Sequence, residues 1–251
     1  MNKIKELANM IDHSLLHPTM TDEIMLKECA VAKKYDVASV CIKPYAVKMA
    51  TEALKGSDVL VCTVVGFPQG NSTTEIKVAE TIKACEDGAT EIDVVVNIGK
   101  VLQEDWDYVK TELQEVLKAT HKHNGILKVI FENDFLPEDK HKIKLCEICS
   151  ELGVEFVKTS TGYGFVKGED SKYSYQGATH DDLRLMRKYS APEVQIKAAG
   201  GVRTLDELLV MRELGATRIG ASATTTIMEE AMTRFGEGSD VEIPSTDDIG
   251  Y

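Results

Sequence analysis

Strand-like and helix-like segments alternate along nearly the whole of this 251-residue chain. Seven apolar, β-prone segments begin roughly 20 to 40 residues apart, which leaves room for one helix between consecutive strands. They are residues 37–42, 58–65, 90–97, 126–132, 154–158, 195–199 and 217–221. A short polar segment at 11–14 supplies an eighth strand. The pattern predicts an α/β fold, a single (β/α)8 barrel of the TIM-barrel type, and the chain length matches that architecture.

The barrel is expected to span residues 1–235, with a short helix before the first strand. Residues 236–251 are rich in Gly, Asp and Ser, which predicts a mobile C-terminal tail. A doubly wound open sheet is the structural alternative, and the chain length alone also permits two small domains. The barrel explains more, because the unusual polar residues lie on strands whose carboxyl ends lead into small residues, where such barrels bind substrates.

The composition excludes several classes of partner. With 29 basic and 41 acidic residues, the formal net charge is −12, so neither nucleic acid nor an anionic membrane surface is an expected partner. No apolar run approaches the roughly 20 residues of a membrane span, and the amphipathic start has no signal-peptide core. We therefore expect a cytoplasmic protein. Its six cysteines are expected to be thiols, since a chain of this size needs no disulfide framework.

A lysine stands in the middle of one predicted strand. Residues 154–164 read VEFVKTSTGYG, in which Lys158 is followed by small polar residues. A lysine buried on one face of a strand must be paired or must lose its proton, and a neutral amine is a nucleophile. The alternative is that Lys158 only extends its charge to solvent, as most lysines near strand ends do.

A second mid-strand lysine favours the catalytic interpretation. Lys197 lies in VQIKAAGGVR, another short strand that ends in small residues. Paired strands lie about 4.8 Å apart, so two ammonium groups on neighbouring strands repel each other and the pKa of one of them falls. A shift from about 10.4 to near 7 is within reach of burial plus one like charge. The two lysines therefore predict a Schiff-base site.

The strand at 90–97 adds an acid. Its alternation places Asp93 opposite the apolar face that meets the helices, so the carboxyl is expected inside the barrel. Lys128 and Glu132 also share one strand face, and their pairing with each other is the commoner outcome for such a couple. Because inward faces converge in a barrel, Asp93, Lys158 and Lys197 are expected around one small carbonyl compound, with Asp93 moving protons directly or through water.

Small residues predict an anion site beside these lysines. Gly200 and Gly201 follow one strand, and Gly220 and Ser222 follow the next. Backbone N–H groups can approach a phosphate closely at such positions, which correspond to the usual phosphate site of these barrels. Each glycine pair alone is a weak signal, because turns use glycine constantly. Their position next to the lysines favours a sugar phosphate as the substrate.

Taken together, these motifs give the chain a resemblance to the deoxyribose-phosphate aldolases, which are class I Schiff-base aldolases with a TIM-barrel fold. The resemblance runs in order through IDHSLL, SVCIKP, CTVVGFPQG, EIDVVVNIG, LKVIFE, FVKTSTG, KAAGGVRT and RIGAS. It implies reversible cleavage of 2-deoxy-D-ribose 5-phosphate to D-glyceraldehyde 3-phosphate and acetaldehyde, with no metal and no organic cofactor. The expected partners are therefore a small sugar phosphate and aldehydes. A homodimer is a candidate assembly.

The resemblance also implies roles for particular residues. Lys158 matches the Schiff-base lysine, Lys197 matches the second lysine that keeps the first uncharged, and Asp93 matches the proton-relay acid. The positions that match pocket or phosphate residues are Asp12, Cys41, Thr161, Gly162, Gly200, Gly201, Gly220 and Ser222. Tyr251, the last residue, matches a tyrosine that reaches the active site from the tail in some members.

Departures from the family pattern concern substrate selectivity. The segment at 220–223 reads GASA and lacks one hydroxyl that the family often has near the phosphate, and the loop at 164–176 is longer than in many short members. Two alternatives stay open. One is a Schiff-base aldolase for another aldol, including an unphosphorylated one, and the other is a non-catalytic barrel that binds sugar phosphates.

Three local motifs carry structural predictions. Ser72 with Glu75, and Thr204 with Glu207, fit capping boxes that open helices. The CxxC formed by residues 146 and 149 more commonly means two core cysteines on one helix face than a redox or metal motif. Since histidines do not gather anywhere in the sequence, a zinc-dependent aldolase is disfavoured and no metal site is predicted.

Overall fold

The protein is described by a computed structural model that covers residues 3–168 and 170–236. The strands are β1 (Ile11–Leu15), β2 (Ser39–Ile42), β3 (Leu60–Val65), β4 (Glu91–Val95), β5 (Ile126–Ile130), β6 (Phe156–Lys158), β7 (Val166–Lys167), β8 (Tyr173–Ser174), β9 (Gln195–Ala199) and β10 (Ala216–Ala221). The α-helices are α1 (Lys3–Ala8), α2 (Asp22–Tyr35), α3 (Val47–Ala53), α4 (Thr74–Glu86), α5 (Ile98–Leu102), α6 (Trp106–Lys122), α7 (Asp139–Leu152), α8 (His180–Tyr189), α9 (Leu205–Glu213) and α10 (Thr224–Phe235).

Eight of these strands close into a parallel barrel. Around the barrel they follow the order β1, β2, β3, β4, β5, β6, β9, β10, and β10 pairs with β1. The predicted (β/α)8 barrel is thereby confirmed, and the open sheet is excluded because β1 has a strand partner on both sides. All carboxyl ends of a parallel barrel lie on one side, so the segments after the strands meet around a common mouth.

Alternation along the strands separates an apolar outer layer from a polar interior. In β4, Ile92 and Val94 are fully buried against the surrounding helices as part of the main hydrophobic core. Glu91 and Asp93 are equally buried but point to the barrel interior, where they meet side chains of other strands. The predicted orientation of Asp93 is confirmed. Burying charges on that side requires partners of opposite sign, which the neighbouring strands supply.

One of the two predicted capping boxes is present. The Thr204 side chain accepts a hydrogen bond from Glu207 N, and the Glu207 carboxylate accepts one from Thr204 N, at the start of α9. The box predicted for Ser72 and Glu75 is wrong. Helix α4 begins one residue later than that box requires, with Thr73 as its N-cap and with no side-chain cap hydrogen bond.

The long connection after β6 contains a small hairpin. Strands β7 and β8 pair antiparallel and form a sheet separate from the barrel.

Residues 237–251, which hold most of the predicted tail and Tyr251, lie outside the described residues. Over 3–168 and 170–236, no helix is long and apolar enough to cross a membrane.

All six cysteines lie in the described part of the chain, and each is a free thiol. Cys146 and Cys149 are fully buried in α7. Burial raises the pKa of Cys146 to about 12 and raises that of Cys149 well above its usual value. Thiols held protonated in a core are poor metal ligands and poor nucleophiles, so the core interpretation of the CxxC is supported.

Candidate active site

A cavity of about 600 Å³ opens at the carboxyl ends of the barrel strands. The predicted site residues on its wall are Cys41, Lys158, Thr161, Gly162, Lys197, Gly200, Gly201, Gly220 and Ser222. They come from β2, β6, β9 and β10 and from the segments that follow the last three strands. The fold thus brings to one cavity most of the residues that the sequence singled out.

Two lysines form the floor of this cavity, and one buried aspartate lies directly beneath them. Lys158 and Lys197 are register partners on the paired strands β6 and β9. The Nζ atoms of both lysines lie 2.7 Å from the same oxygen of Asp93, Oδ2. The two amines are therefore no more than twice that distance apart. Their crowding in one compartment is the arrangement on which the Schiff-base hypothesis depends.

Below this floor lies a second layer of buried charge that the sequence analysis missed. Lys128 Nζ lies 2.7 Å from Glu91 Oε2 and 2.9 Å from Asp93 Oδ1. Arg218 Nη1 lies 3.0 Å from Glu91 Oε2 and 2.5 Å from Asp12 Oδ1. The predicted pairing of Lys128 with Glu132 is wrong, because Lys128 points down to these carboxylates. Lys128 lies in the middle of a strand, as Lys158 and Lys197 do, and this position was the sequence signal that could have placed it in the barrel interior.

Asp12 belongs to this lower layer. Its carboxylate is fully buried, accepts a hydrogen bond of 2.6 Å from Ser39 Oγ, and lies 2.5 Å from Lys197 Nζ. The resemblance implied a place on the pocket wall, but the structure puts Asp12 beneath the cavity. The reason is its position early in β1, below the strand end where the mouth opens. It contacts the cavity through Lys197.

The two layers together hold four cations and three carboxylates. The cations are Lys128, Lys158, Lys197 and Arg218, and the carboxylates are Asp12, Glu91 and Asp93. Fully ionised, the cluster has one positive charge in excess. Lys158 contacts one carboxylate, whereas each of the other three cations contacts at least two. Loss of the positive charge on Lys158 would therefore break fewer ion pairs than loss of the charge on any of the other three cations.

The cluster shifts the pKa values of Asp93 and Lys197 strongly. Burial would raise the pKa of Asp93, but Lys128, Lys158 and Lys197 outweigh it and hold that pKa well below its usual value. Burial would lower the pKa of Lys197, but Asp12 and Asp93 raise it above the ordinary range. Repulsion between the two amines is therefore not the dominant influence on Lys197, because the carboxylates between the cations more than compensate it.

Two thiols lie close to the Asp93 carboxylate, and one of them, Cys41, also lines the cavity. Cys41 and Cys62 are register neighbours on β2 and β3, and Cys62 Sγ donates a hydrogen bond of 3.2 Å to Asp93 Oδ1. Cys41, Cys62 and Asp93 offer three atoms with metal-ligand spacing. The carboxylate of Asp93 is already in contact with three lysine ammonium groups, which would repel a metal cation. The donor set therefore suits amines better than a metal ion.

The part of the wall that follows β9 and β10 has the features of an anion site. Gly200 and Gly201 have φ values of 92° and 94°, a conformation that favours glycine and lets two successive backbone groups face the cavity. Ser222 lines the cavity just before α10, whose N-terminus has no side-chain cap hydrogen bond. Uncapped N–H groups and the helix dipole favour a negatively charged group there. Arg203, which the sequence analysis did not assign, also lines this side.

Thr161 lines the cavity, but its polar groups point elsewhere. Its backbone N–H and its hydroxyl both donate hydrogen bonds to the buried carboxyl of Glu132. The carboxyl of Glu132, which the sequence analysis considered only as a partner of Lys128, is thus a further group next to the site.

Comparison with known proteins identifies the family. The model of the DeoC/LacD family aldolases matches residues 7–227. The chain belongs to this family of aldolases.

Relatives of this family member agree with that assignment. A deoxyribose-phosphate aldolase of Rhodopirellula baltica is 50% identical over 98% of this chain and 97% of its own length. One from Thermococcus gammatolerans is 47% identical over 90% of this chain and 96% of its own length. The tetrameric deoxyribose phosphate aldolase of Aeropyrum pernix superposes with a TM-score of 0.80, at 27% identity, over 90% of this chain and 91% of that one. The resemblance found in the sequence is confirmed.

Proposed function

We propose that this family member is a deoxyribose-phosphate aldolase that cleaves 2-deoxy-D-ribose 5-phosphate reversibly to D-glyceraldehyde 3-phosphate and acetaldehyde. The observation that carries the proposal is the contact of both Lys158 and Lys197 with Asp93 at the floor of the cavity. Relatives of nearly the same length are deoxyribose-phosphate aldolases. The uncapped end of α10 and the glycines after β9 support a phosphorylated substrate.

Lys158 is proposed as the nucleophile. Its neutral amine adds to the aldehyde carbon C1 of the open-chain sugar, and loss of water leaves an iminium ion. When the C3 hydroxyl loses its proton, the C2–C3 bond breaks, its electron pair moves toward the iminium, and an enamine and D-glyceraldehyde 3-phosphate result. Protonation of the enamine at C2 and hydrolysis release acetaldehyde and restore the amine.

Lys197 and Asp93 are proposed to move and hold protons in these steps. Asp93 is fully buried and is absent from the cavity wall, so it acts on the substrate through the lysines. Lys197 lies on the wall, and its raised pKa keeps it as an ammonium group, which holds a positive charge next to Lys158. Held between Asp12 and Asp93, this ammonium has a fixed position relative to the reacting carbons.

The first experiment tests covalent chemistry. Wild-type protein is incubated with acetaldehyde and sodium borohydride, and peptide mass spectrometry is expected to find one ethyl group on Lys158. Lys158→Ala should lose the adduct and turnover, whereas Lys27→Ala, at an exposed lysine of α2, should keep both. An unmodified wild-type Lys158 would identify the protein as the non-catalytic barrel considered above.

The second experiment tests the substrate. The value of kcat/KM for 2-deoxy-D-ribose 5-phosphate is compared with that for free 2-deoxy-D-ribose. The proposal expects a clear preference for the phosphorylated sugar, through the backbone groups around Gly201 and Ser222. Equal values would instead favour an aldolase for unphosphorylated aldols, which the missing hydroxyl at Ala223 first suggested.

A homodimer and a cytoplasmic location remain predictions.

A further inference from the structure

The connection from β6 to α8 forms one wall of the substrate cavity. Thr161, Gly162, Tyr163, Phe165 and Tyr175 all line the cavity from this connection. The Phe165 and Tyr175 rings pack edge to face with centroids 5.1 Å apart, next to the hairpin. The shape of this wall depends on whatever holds the two ends of the connection.

Two carboxyl groups from the turn after β5 hold those ends. At the far end, Asp134 accepts hydrogen bonds from Gln176 N at 2.5 Å and from Gly177 N at 3.1 Å. At the near end, Glu132 accepts the backbone N–H of Thr161, with both carboxyl oxygens within 3.3 Å of that nitrogen. One short turn therefore anchors both ends of the cavity wall.

Glu132 has further contacts around its carboxyl group. Its side chain also accepts the Thr161 hydroxyl, whose oxygen in turn accepts a 2.9 Å hydrogen bond from Tyr163 N. Gly164 lies against the carboxyl so closely that a Cβ there would be 2.7 Å from Glu132 Cδ. With 1% of its surface exposed, Glu132 has no access to water that could replace these partners.

We propose that the ionised Glu132 carboxylate is a positioning residue that holds residues 161–164 in the shape that binds substrate, so that turnover depends on its protonation state. This inference rests on the proposed function, because it concerns the aldol cleavage in the adjoining cavity. Glu132 itself is absent from the cavity wall and acts through Thr161 and Tyr163.

The chemistry of the carboxyl group explains why its charge matters. A carboxylate only accepts hydrogen bonds, and bonds to a charged acceptor are roughly twice as strong as neutral ones. Protonation turns one oxygen into a hydroxyl donor that faces the Thr161 N–H and weakens the anchor. The charged groups that face Glu132 are Asp134 from its own turn and Lys158 from β6. Burial, aided by Asp134 and opposed by Thr161 and Lys158, raises the pKa of Glu132 to about 7.

The variant that tests this idea is Glu132→Gln, which keeps the shape and one acceptor oxygen but cannot ionise. For wild-type enzyme, kcat/KM for 2-deoxy-D-ribose 5-phosphate is expected to rise through a step near pH 7. The variant should lack that step, and at pH 8 its kcat/KM should be lower by about 3- to 10-fold, mainly through KM. Borohydride trapping of acetaldehyde on Lys158 should persist, because the amine itself is unchanged.

Further variants separate positioning from general damage to the fold. Gly164→Ala displaces the Glu132 carboxyl and should reproduce the rise in KM, whereas Gly99→Ala in α5, with no contact closer than 3.6 Å, should not. Asp134→Asn should raise KM and keep a pH step, moved to lower pH because Asp134 helps to raise the pKa of Glu132. Chemical denaturation supplies a readout without substrate. The folded state binds the Glu132 proton more tightly, so wild-type stability should fall relative to Glu132→Gln as pH rises from about 4.5 to 7.

The outcomes distinguish this inference from the proposed function. If wild-type enzyme cleaves the sugar phosphate and Glu132→Gln shows the same step and the same KM, the positioning role is overturned and the proposed function stands. A wild-type profile without any step between pH 6 and 8 has the same meaning. Wild-type protein that neither cleaves the sugar nor traps acetaldehyde overturns both.

Discussion

At the residue scale, the number of ion pairs distinguishes lysines of equal charge. Lys158 contacts one carboxylate and lines the cavity, whereas Lys128 contacts Asp12, Glu91 and Asp93 and is fully buried. Removal of either amine takes the cluster from four cations and three carboxylates to an equal number of each. The net charge is thus the same in both variants, and the lost contacts differ.

We therefore expect Lys128→Met to cost about 3 kcal/mol or more of unfolding free energy, because it removes the central partner of buried carboxylates. Lys158→Met should cost much less and should lose turnover completely. Urea denaturation followed by circular dichroism measures both variants against wild type. Equal losses of stability in the two variants would contradict the assignment of Lys128 as the main structural cation.

At the element scale, a buried ion pair joins helices outside the barrel. Lys77 of α4 lies 2.9 Å from Glu112 of α6, and both side chains are fully buried. Lys77 also donates a 2.8 Å hydrogen bond to the carbonyl of Val95, at the end of β4, and Glu112 accepts one from Asn97 N. Burial lowers the pKa of Lys77 and raises that of Glu112, so each group is held charged mainly by the other.

Replacing one member of this pair should be worse than replacing both. Lys77→Met leaves a buried carboxylate without its cation and should cost about 3 to 5 kcal/mol, while the double variant Lys77→Met/Glu112→Leu should regain much of that loss. Lys110→Met is the matched control, since the Lys110–Glu151 pair between α6 and α7 is exposed and should be worth at most about 1 kcal/mol. A double-mutant cycle by urea denaturation measures the coupling free energy between Lys77 and Glu112. A value near zero would refute the stabilising role of this ion pair.

Element boundaries show which local signals can be interpreted directly. The Thr204–Glu207 box at α9 is confirmed, because Thr204 is the N-cap residue and Glu207 follows it by three positions. The same pattern at Ser72 and Glu75 is wrong, because Thr73 precedes the first helical turn and takes the N-cap position. Where two adjacent residues are both of a type that caps helices, the sequence pattern alone does not show which of them is the N-cap.

At the scale of the whole molecule, the barrel interior makes stability depend on pH. The pKa values of Asp12 and Asp93 lie below the ordinary value because the lysines and Arg218 outweigh burial. The folded state therefore releases these protons more readily than the unfolded state does. The stabilisation is present above the unfolded pKa and is lost as the pH falls.

The unfolding free energy is accordingly expected to fall as the pH decreases below about 4, near the ordinary aspartate pKa of 3.8. Asp93→Asn should make this dependence shallower, because the amide has no proton to take up, whereas Asp107→Asn at an exposed position of α6 should leave it unchanged. Urea denaturation at pH 5, 4 and 3 checks both variants. If the unfolding free energy of Asp93→Asn falls with decreasing pH as steeply as that of wild type, the assigned role of Asp93 in this pH dependence is wrong.

The sequence by itself determined the barrel, the cavity side and the central lysines. Strand alternation and the order of elements are local properties, and KTSTG and KAAGGVR mark the positions of Lys158 and Lys197 without any knowledge of contacts. Only the tertiary structure decided the partners. Lys128 joins Glu91 rather than Glu132, and Asp12 lies below the cavity, because closing the barrel brings together side chains of strands far apart in the chain. Pairing of charges across a closed barrel is a non-local choice that no single segment encodes.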